Sequence, residues 1–316
     1  MIYAYGITQQ GSYHIKKDIV CQDAHRIIKC GDTMAVAAVA DGLGSEEHSD
    51  VASRLAADLS VEYCAEHIKP DEIDDDGILA TIKDSFELAQ NKIEFVAAEN
   101  GHELDQYDTT LSLAVLIGDR LYYGHSGDSG IIAMNTEGIY EKVTDQQRDS
   151  DGRVFPLYFG EDKWVFGRYK KPVVSVLLAT DGMFEIFFPI YIRREKVSIY
   201  VALAKYFMDP KGIGFEKDGE KGVEERIGKF VSSIPEEQIN DDKTIVVMAN
   251  AQTEYTLQSD DYYTEPDWKV LKQKYEEEWR RQAYPYLYKT EKNEAVQKEE
   301  SFSEDMSNAG KSEEDD

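Results

Sequence analysis

Between residues 110 and 143 four strand-like runs follow one another with almost nothing in between. Thr110–Ile117, Arg120–Ser126, Ser129–Asn135 and Gly138–Val143 are separated only by Gly118-Asp119, Gly127-Asp128 and Thr136-Glu137. A parallel crossover takes a dozen or more residues, so two-residue connections commit this stretch to antiparallel pairing, read here as a meander. The N-terminal 41 residues have the same character. Ile2–Thr8 and Ala24–Cys30 read as strands, and Gly31-Asp32 turns the chain into the apolar run Thr33–Ala40. A chain committed to this much antiparallel sheet needs helices or a second sheet to cover its apolar faces.

Two helical stretches interrupt the strands. From Ser49, residues Val51, Leu55, Leu59 and Tyr63 recur every fourth position, and this stripe is expected to face inward. After an acidic loop at Asp71–Gly77, a second pattern puts Ile78, Ile82, Phe86, Ala89, Ile93 and Val96 on one face. Residues 145–171 show no period and read as a long loop of the kind that carries function. Pro172–Ala179 and Lys243–Ala249 are the last strands, with helical material at about 185–208 and 220–233. Thr264 is expected to cap a further helix running to about Ala283. The expected organisation is a catalytic-type domain over residues 1–250, an extension with a surface helix over 251–290, and a disordered tail over 291–316. That tail holds ten acidic residues and three lysines.

Charge and cysteine content narrow the function. With 62 acidic and 35 basic side chains the net charge is −27, which repels a nucleic-acid backbone and anionic membranes but not divalent cations. The apolar runs are too short to span a bilayer and the N-terminus lacks the pattern of a signal peptide. Three cysteines, Cys21, Cys30 and Cys64, have neither disulfide-scaffold nor zinc spacing, as expected of a cytoplasmic protein. No Walker A, GxGxxG or GxSxG motif occurs, and no histidine falls in an HExxH pattern.

Five short stretches carry the chemistry: Cys21-Gln22-Asp23, Ala40-Asp41-Gly42-Leu43-Gly44, Ser126-Gly127-Asp128-Ser129, Thr180-Asp181-Gly182 and Asp241-Asp242. Each aspartate begins or ends an apolar strand, where a carboxylate sits on rigid scaffold yet meets water at the rim. One Asp-Gly is more often a turn than a site. Several of them closing near-continuous apolar runs, without a matching set of His or Cys, describe an all-oxygen site for hard cations. Two such ions about 4 Å apart bind a phosphate and lower the pKa of a shared water.

The order of these motifs resembles the metal-dependent Ser/Thr protein phosphatases of the protein phosphatase 2C (PPM) family, in its bacterial branch. The matching residues are Gln22-Asp23-Ala24-His25, Val39–Gly44, Thr109–Ser112, Gly127-Asp128-Ser129, Ala179–Glu185 and Asp241–Thr244, in family order. The resemblance implies an α+β fold, an αββα sandwich of two mainly antiparallel β-sheets flanked by helices. It implies two Mn²⁺ or Mg²⁺ ions, with a third, looser ion at Asp128. Carried over residue by residue, Asp41 bridges two ions, the Gly42 carbonyl binds the first, and Asp181 and Asp241 bind the second. Asp23 acts through water. Asp242 stands where the family usually has Asn, so it is the alternative to Asp241, and Asp241 is favoured.

Three departures stand out. Leu43 replaces the histidine of animal members, Gly130 replaces the arginine that often follows Gly-Asp-Ser, and no arginine precedes Gln22-Asp23. Lys16 or Lys17 stands in that last region, and Lys16 is the choice for binding the substrate phosphate as a point charge. The resemblance implies a monomeric phosphatase for phosphoserine and phosphothreonine in proteins, with a cognate Ser/Thr kinase as a partner. The other readings are a catalytically weak phosphoprotein-binding module and a small-molecule phosphodiesterase. Among the histidines, His14 is the one worth testing, because it lies near Lys16.

Overall fold

The computed structural model describes residues 1–287 apart from 45, 194, 196 and 197. The acidic tail expected at 291–316 lies outside the described residues. Residues Met1–Glu265 form one compact unit, and the described residues from Pro266 onward belong to a second.

The first unit is built on ten strands in two sheets. β1 (Ile2–Gln9), β10 (Lys243–Asn250), β9 (Val173–Ala179), β6 (Gly130–Asn135) and β7 (Tyr140–Lys142) lie side by side in that order. The second sheet runs β2 (Asp23–Cys30), β3 (Met34–Asp41), β4 (Leu111–Ile117), β5 (Arg120–Ser126) and β8 (Val165–Arg168). All strand pairs are antiparallel. The sheets face each other through small and branched side chains, among them Ala35, Ala37, Val39, Ala114, Ile131, Val176 and Val246. That explains the near-continuous apolar runs: β4, β9 and β10 are buried on both faces.

The outer face of the second sheet is covered by α2 (Ser49–His67) and α3 (Asp75–Asn100). The stripe expected on α2 is displaced. Ala52, Ala56, Ala57, Val61 and Cys64 are buried, whereas Val51, Leu55, Leu59 and Tyr63 flank the contact half-exposed. Small residues let the helix lie close to the sheet, and the larger ones seal its margins. On α3 the expected residues from Ile78 to Ile93 are buried. That helix starts inside the expected acidic loop, because the Asp74 carboxylate accepts from the Gly77 amide and caps it. Phe86 packs edge-on against Trp164 and Phe166, which ties α3 to the margin of the sheet. Over the first sheet lie α4 (Asp181–Phe184), α5 (Val201–Met208), α6 (Pro210–Ile213) and α7 (Phe215–Ser232). A short helix, α1 (Ser12–Lys17), joins β1 to β2.

Three further expectations change. The run 110–143 is not one meander, because β5 and β6 belong to different sheets. The Gly127-Asp128 turn therefore carries the chain across the sandwich, not round a hairpin. The loop 145–171 also contributes β8, a four-residue edge strand on β5. In the second unit α8 (Trp268–Ala283) is capped by Asp267, whose carboxylate accepts from the Val270 amide; Thr264 is not the cap.

Candidate metal centre

The strands that deliver the aspartates end at one rim of the sandwich. In the β2–β3 pairing Asp23 stands directly opposite Asp41. Asp41 is pinned at the end of β3 by backbone and side chain together. Its amide donates to Thr110 Oγ1 at 3.0 Å, and its carbonyl accepts from the Thr110 amide at 2.8 Å and from Thr109 Oγ1 at 3.1 Å. The next residue is glycine because the chain runs against backbone here. A Cβ on Gly42 would lie 2.6 Å from the Ser49 carbonyl oxygen and 2.8 Å from that of Gln22. Across the sandwich Thr180, at the end of β9, donates from its hydroxyl to Asp23 Oδ2 at 2.8 Å, and Asp181 opens α4. Asp128 sits in the crossing turn and is buried.

The ligating oxygens of Asp41, Asp128 and Asp181 all lie within 4.8 Å of one another. Burial raises the pKa of Asp41 well above the carboxylate range, and the charges of Asp23, Asp181, Asp128 and Asp241 raise it further. The Asp23 carboxyl is raised for the same reasons, with Asp242 its largest repelling neighbour. Asp128 is raised by burial against the opposing pull of Arg148. Asp181 is pushed up to about 7 by burial and by repulsion from Asp128 and Asp241. Carboxylates packed this closely call for a cation, and an all-carboxylate donor set suits a hard divalent ion.

Among the described residues a cation of the protein itself, Arg148, reaches the cluster, and sequence reasoning missed it. Arg148 donates from Nε to Asp128 Oδ2 at 3.0 Å, and its Nη2 lies 2.7 Å from Asp128 Oδ2, 3.1 Å from Asp181 Oδ2 and 3.4 Å from Glu185 Oε1. The only advance signal was its place in the long unpatterned loop.

Asp241 and Asp242 play different parts. Both oxygens of Asp242 are taken by backbone amides, Oδ1 by Gly11 at 2.6 Å and Oδ2 by Gln22 at 2.6 Å. His14 Nδ1 lies 2.9 Å from the same Oδ2, off the line of a straight hydrogen bond. Asp242 thus clamps the loops at 11 and 22 to the start of β10. The Asp241 side chain is half-exposed, and its charge acts on Asp41 and Asp181. Lys16 is exposed and pairs with Glu236 at 2.7 Å. His125 is satisfied by Ser112 Oγ at 2.8 Å and the Asp145 carbonyl at 3.0 Å, and burial lowers its pKa to about 4. Gly130 lies against the Phe184 ring, which a Cβ there would meet at 2.2 Å, so this packing leaves no room for the arginine of other members.

Two antiparallel five-stranded sheets, helices on both outer faces and aspartates at one rim define an αββα sandwich of the phosphatase 2C type. The sequence matches the protein phosphatase 2C family over residues 10–208, and the chain belongs to that family. Among solved structures it is similar to a bacterial serine phosphatase, at 15% identity over 80% of this chain and 100% of the other, with a TM-score of 0.53. It is also similar to the serine/threonine phosphatase Stp1 from Staphylococcus aureus, at 16% identity over 79% and 95% of the two chains, TM-score 0.54. A third is the catalytic domain of the serine/threonine protein phosphatase PstP in complex with two manganese ions, at 16% identity over 78% and 97%, TM-score 0.53. At these identities the likeness is one of fold. No curated protein matches the sequence. Among the described residues no helix is long and apolar enough to cross a membrane.

Proposed function

We propose that the chain is a Mn²⁺- or Mg²⁺-dependent phosphatase for phosphoserine and phosphothreonine in proteins. The observation that carries this reading is the convergence of Asp41, Asp128 and Asp181, with their carboxyl pKa values raised by burial and mutual repulsion. In this reading Asp41 and the Gly42 carbonyl hold the first ion, and Asp41, Asp181 and Asp241 the second. Asp128 offers a place to a third. Asp241 is favoured over Asp242 in this reading, because backbone amides already engage both Asp242 oxygens. When bound, the ions supply Lewis-acid activation of water and neutralise the phosphoryl oxygens.

The protein's own groups do the positioning. In this reading Asp23, held by the Thr180 hydroxyl opposite Asp41, would accept a hydrogen from the water and orient it. Arg148 holds Asp128 and Asp181 at a fixed separation. Leu43 offers no proton donor beside Asp41, so the leaving seryl or threonyl oxygen takes its proton from solvent. The test is turnover of a phosphopeptide and of an aryl phosphate. EDTA silences the protein and Mn²⁺ restores it, while Asp41→Asn and Asp181→Asn remain inactive; full activity in EDTA refutes the reading.

One observation favours a second reading, a catalytically weak phosphoprotein-binding module. The Arg148 guanidinium already neutralises two would-be ligands. Calorimetry with Mn²⁺ separates the two, because a protein with a guanidinium in place of the ions takes up no Mn²⁺ tightly.

A further inference from the structure

Beside the Asp41 loop lies a second convergence of acceptors, and it includes a nitrogen. His14 is 3% exposed, and its two ring nitrogens both face carboxylates: Nδ1 lies 2.9 Å from Asp242 Oδ2 and Nε2 4.0 Å from Asp241 Oδ1. A neutral imidazole carries one hydrogen, so it can donate to only one of two acceptors. The other nitrogen then turns a lone pair towards a negative oxygen, across a gap too wide for a hydrogen bond.

Gln22 adds a second, independent acceptor. It is 4% exposed, its Nε2 donates to the Glu46 carbonyl at 3.1 Å, and its Oε1 is buried with no hydrogen-bond partner. A side chain on Gly44 would meet Gln22 Oε1 at 3.6 Å and His14 Nε2 at 3.8 Å, so the two atoms face the same small space beside the loop after Asp41. Gly44 itself is exposed, which leaves that space a way in from solvent.

We infer that a divalent transition-metal ion binds between His14 Nε2, Gln22 Oε1 and the Asp241 carboxylate. Asp242 Oδ2 lies 2.9 Å from Nδ1 on the far side of the ring, the side on which a carboxylate stands behind a metal-ligating histidine. Asp242 is itself held by the Gly11 and Gln22 amides, so the ring's support is rigid. The inference rests on the phosphatase reading in one point, that Asp241 holds a metal, and it adds what an all-carboxylate set lacks. An imidazole nitrogen favours Mn²⁺, Fe²⁺ or Zn²⁺ over Mg²⁺.

The experiment is pulsed electron paramagnetic resonance on the full-length protein loaded with Mn²⁺ alone, read for magnetic coupling to an imidazole ¹⁴N. The wild type shows that coupling, and ¹⁵N-histidine labelling changes its pattern. His14→Gln, checked by circular dichroism for an intact fold, loses the coupling and binds Zn²⁺ roughly tenfold more weakly or worse, with Mg²⁺ affinity unchanged. Single glutamine variants of the other five histidines, His25, His48, His67, His102 and His125, each keep the coupling, which assigns it to His14 by elimination even if His14→Gln fails to fold. Absence of nitrogen coupling in the wild type, or its survival in folded His14→Gln, overturns the inference and leaves His14 as a proton-bridged clamp between the two carboxylates. Nitrogen coupling in a protein that turns over no phosphoester upholds the site and refutes the phosphatase reading instead.

Discussion

Without metal the cluster at the rim should work against folding, and Asp181→Asn measures by how much. Its carboxyl stands at about 7 in the fold against 3.8 as the ordinary value. A folded-state pKa above the unfolded one means that the folded chain binds the extra proton. Stability is therefore lost as pH rises from about 4 to about 7, and the full penalty applies above that window. Three units at about 1.4 kcal/mol each give a cost of about 4 kcal/mol at pH 8. The attraction of Arg148 is already contained in that value. A gain of about 4 kcal/mol translates to a Tm higher by roughly 8–16 °C for a domain of this size. At pH 5 the wild-type carboxyl is already protonated in the fold, and the gain shrinks to about 2 kcal/mol. The assay is thermal unfolding of both proteins in EDTA at pH 5 and pH 8, repeated at pH 8 with Mn²⁺. Mn²⁺ at 1,000 times its dissociation constant adds about 4.1 kcal/mol to the wild type and much less to the variant, closing most of the gap. If Asp181→Asn is no more stable than the wild type in EDTA at pH 8, or gains equally at pH 5, the repulsive cluster does not exist as described.

Three further outcomes follow from particular contacts. Arg148→Ala leaves buried Asp128 without its guanidinium, so it lowers stability in EDTA at pH 8 by about 2 kcal/mol, and saturating Mn²⁺ recovers most of that loss in the same melting assay. Gly130→Ala drives a methyl into the Phe184 ring and costs about 1–3 kcal/mol, part of which Phe184→Leu restores in a double-mutant cycle. Lys16→Ala, which breaks only an exposed pair with Glu236, changes stability by less than about 0.5 kcal/mol and leaves KM for an aryl phosphate unchanged; a KM raised tenfold assigns Lys16 to the phosphate after all.

The strands were legible because their apolar runs are long and their turns short, but pairing partners were not. Residues 111–117 and 120–126 pair across a two-residue turn, as their spacing implies, whereas 120–126 and 130–135, only one residue further apart, separate into opposite sheets. Nothing local distinguishes the two turns. The difference lies in β9, which pairs with β6 from forty residues away. The face of α2 was misread for a related reason. Periodicity finds the large residues, while a helix pressed onto a sheet buries the small ones, here Ala52, Ala56 and Ala57.

The site divides along the same line. Aspartates that end buried strands are visible in one dimension, because strand and carboxylate are adjacent in sequence. A side chain that reaches the rim from a loop is visible only once the fold brings it there, as with Arg148, twenty residues beyond Asp128, or His14, whose carboxylate partners lie at 241 and 242. The departures from the family pattern then cease to be isolated gaps. The arginine missing at position 130 has its space filled by Phe184, and the guanidinium in contact with Asp128 comes instead from Arg148. Where an arginine usually precedes Gln22-Asp23, the α1 helix turns its lysine outward to Glu236 and its histidine inward to Asp241 and Asp242. At position 130, then, the cation absent from the motif is matched by one from a distant loop, and a motif search that scores each position separately counts it as a loss.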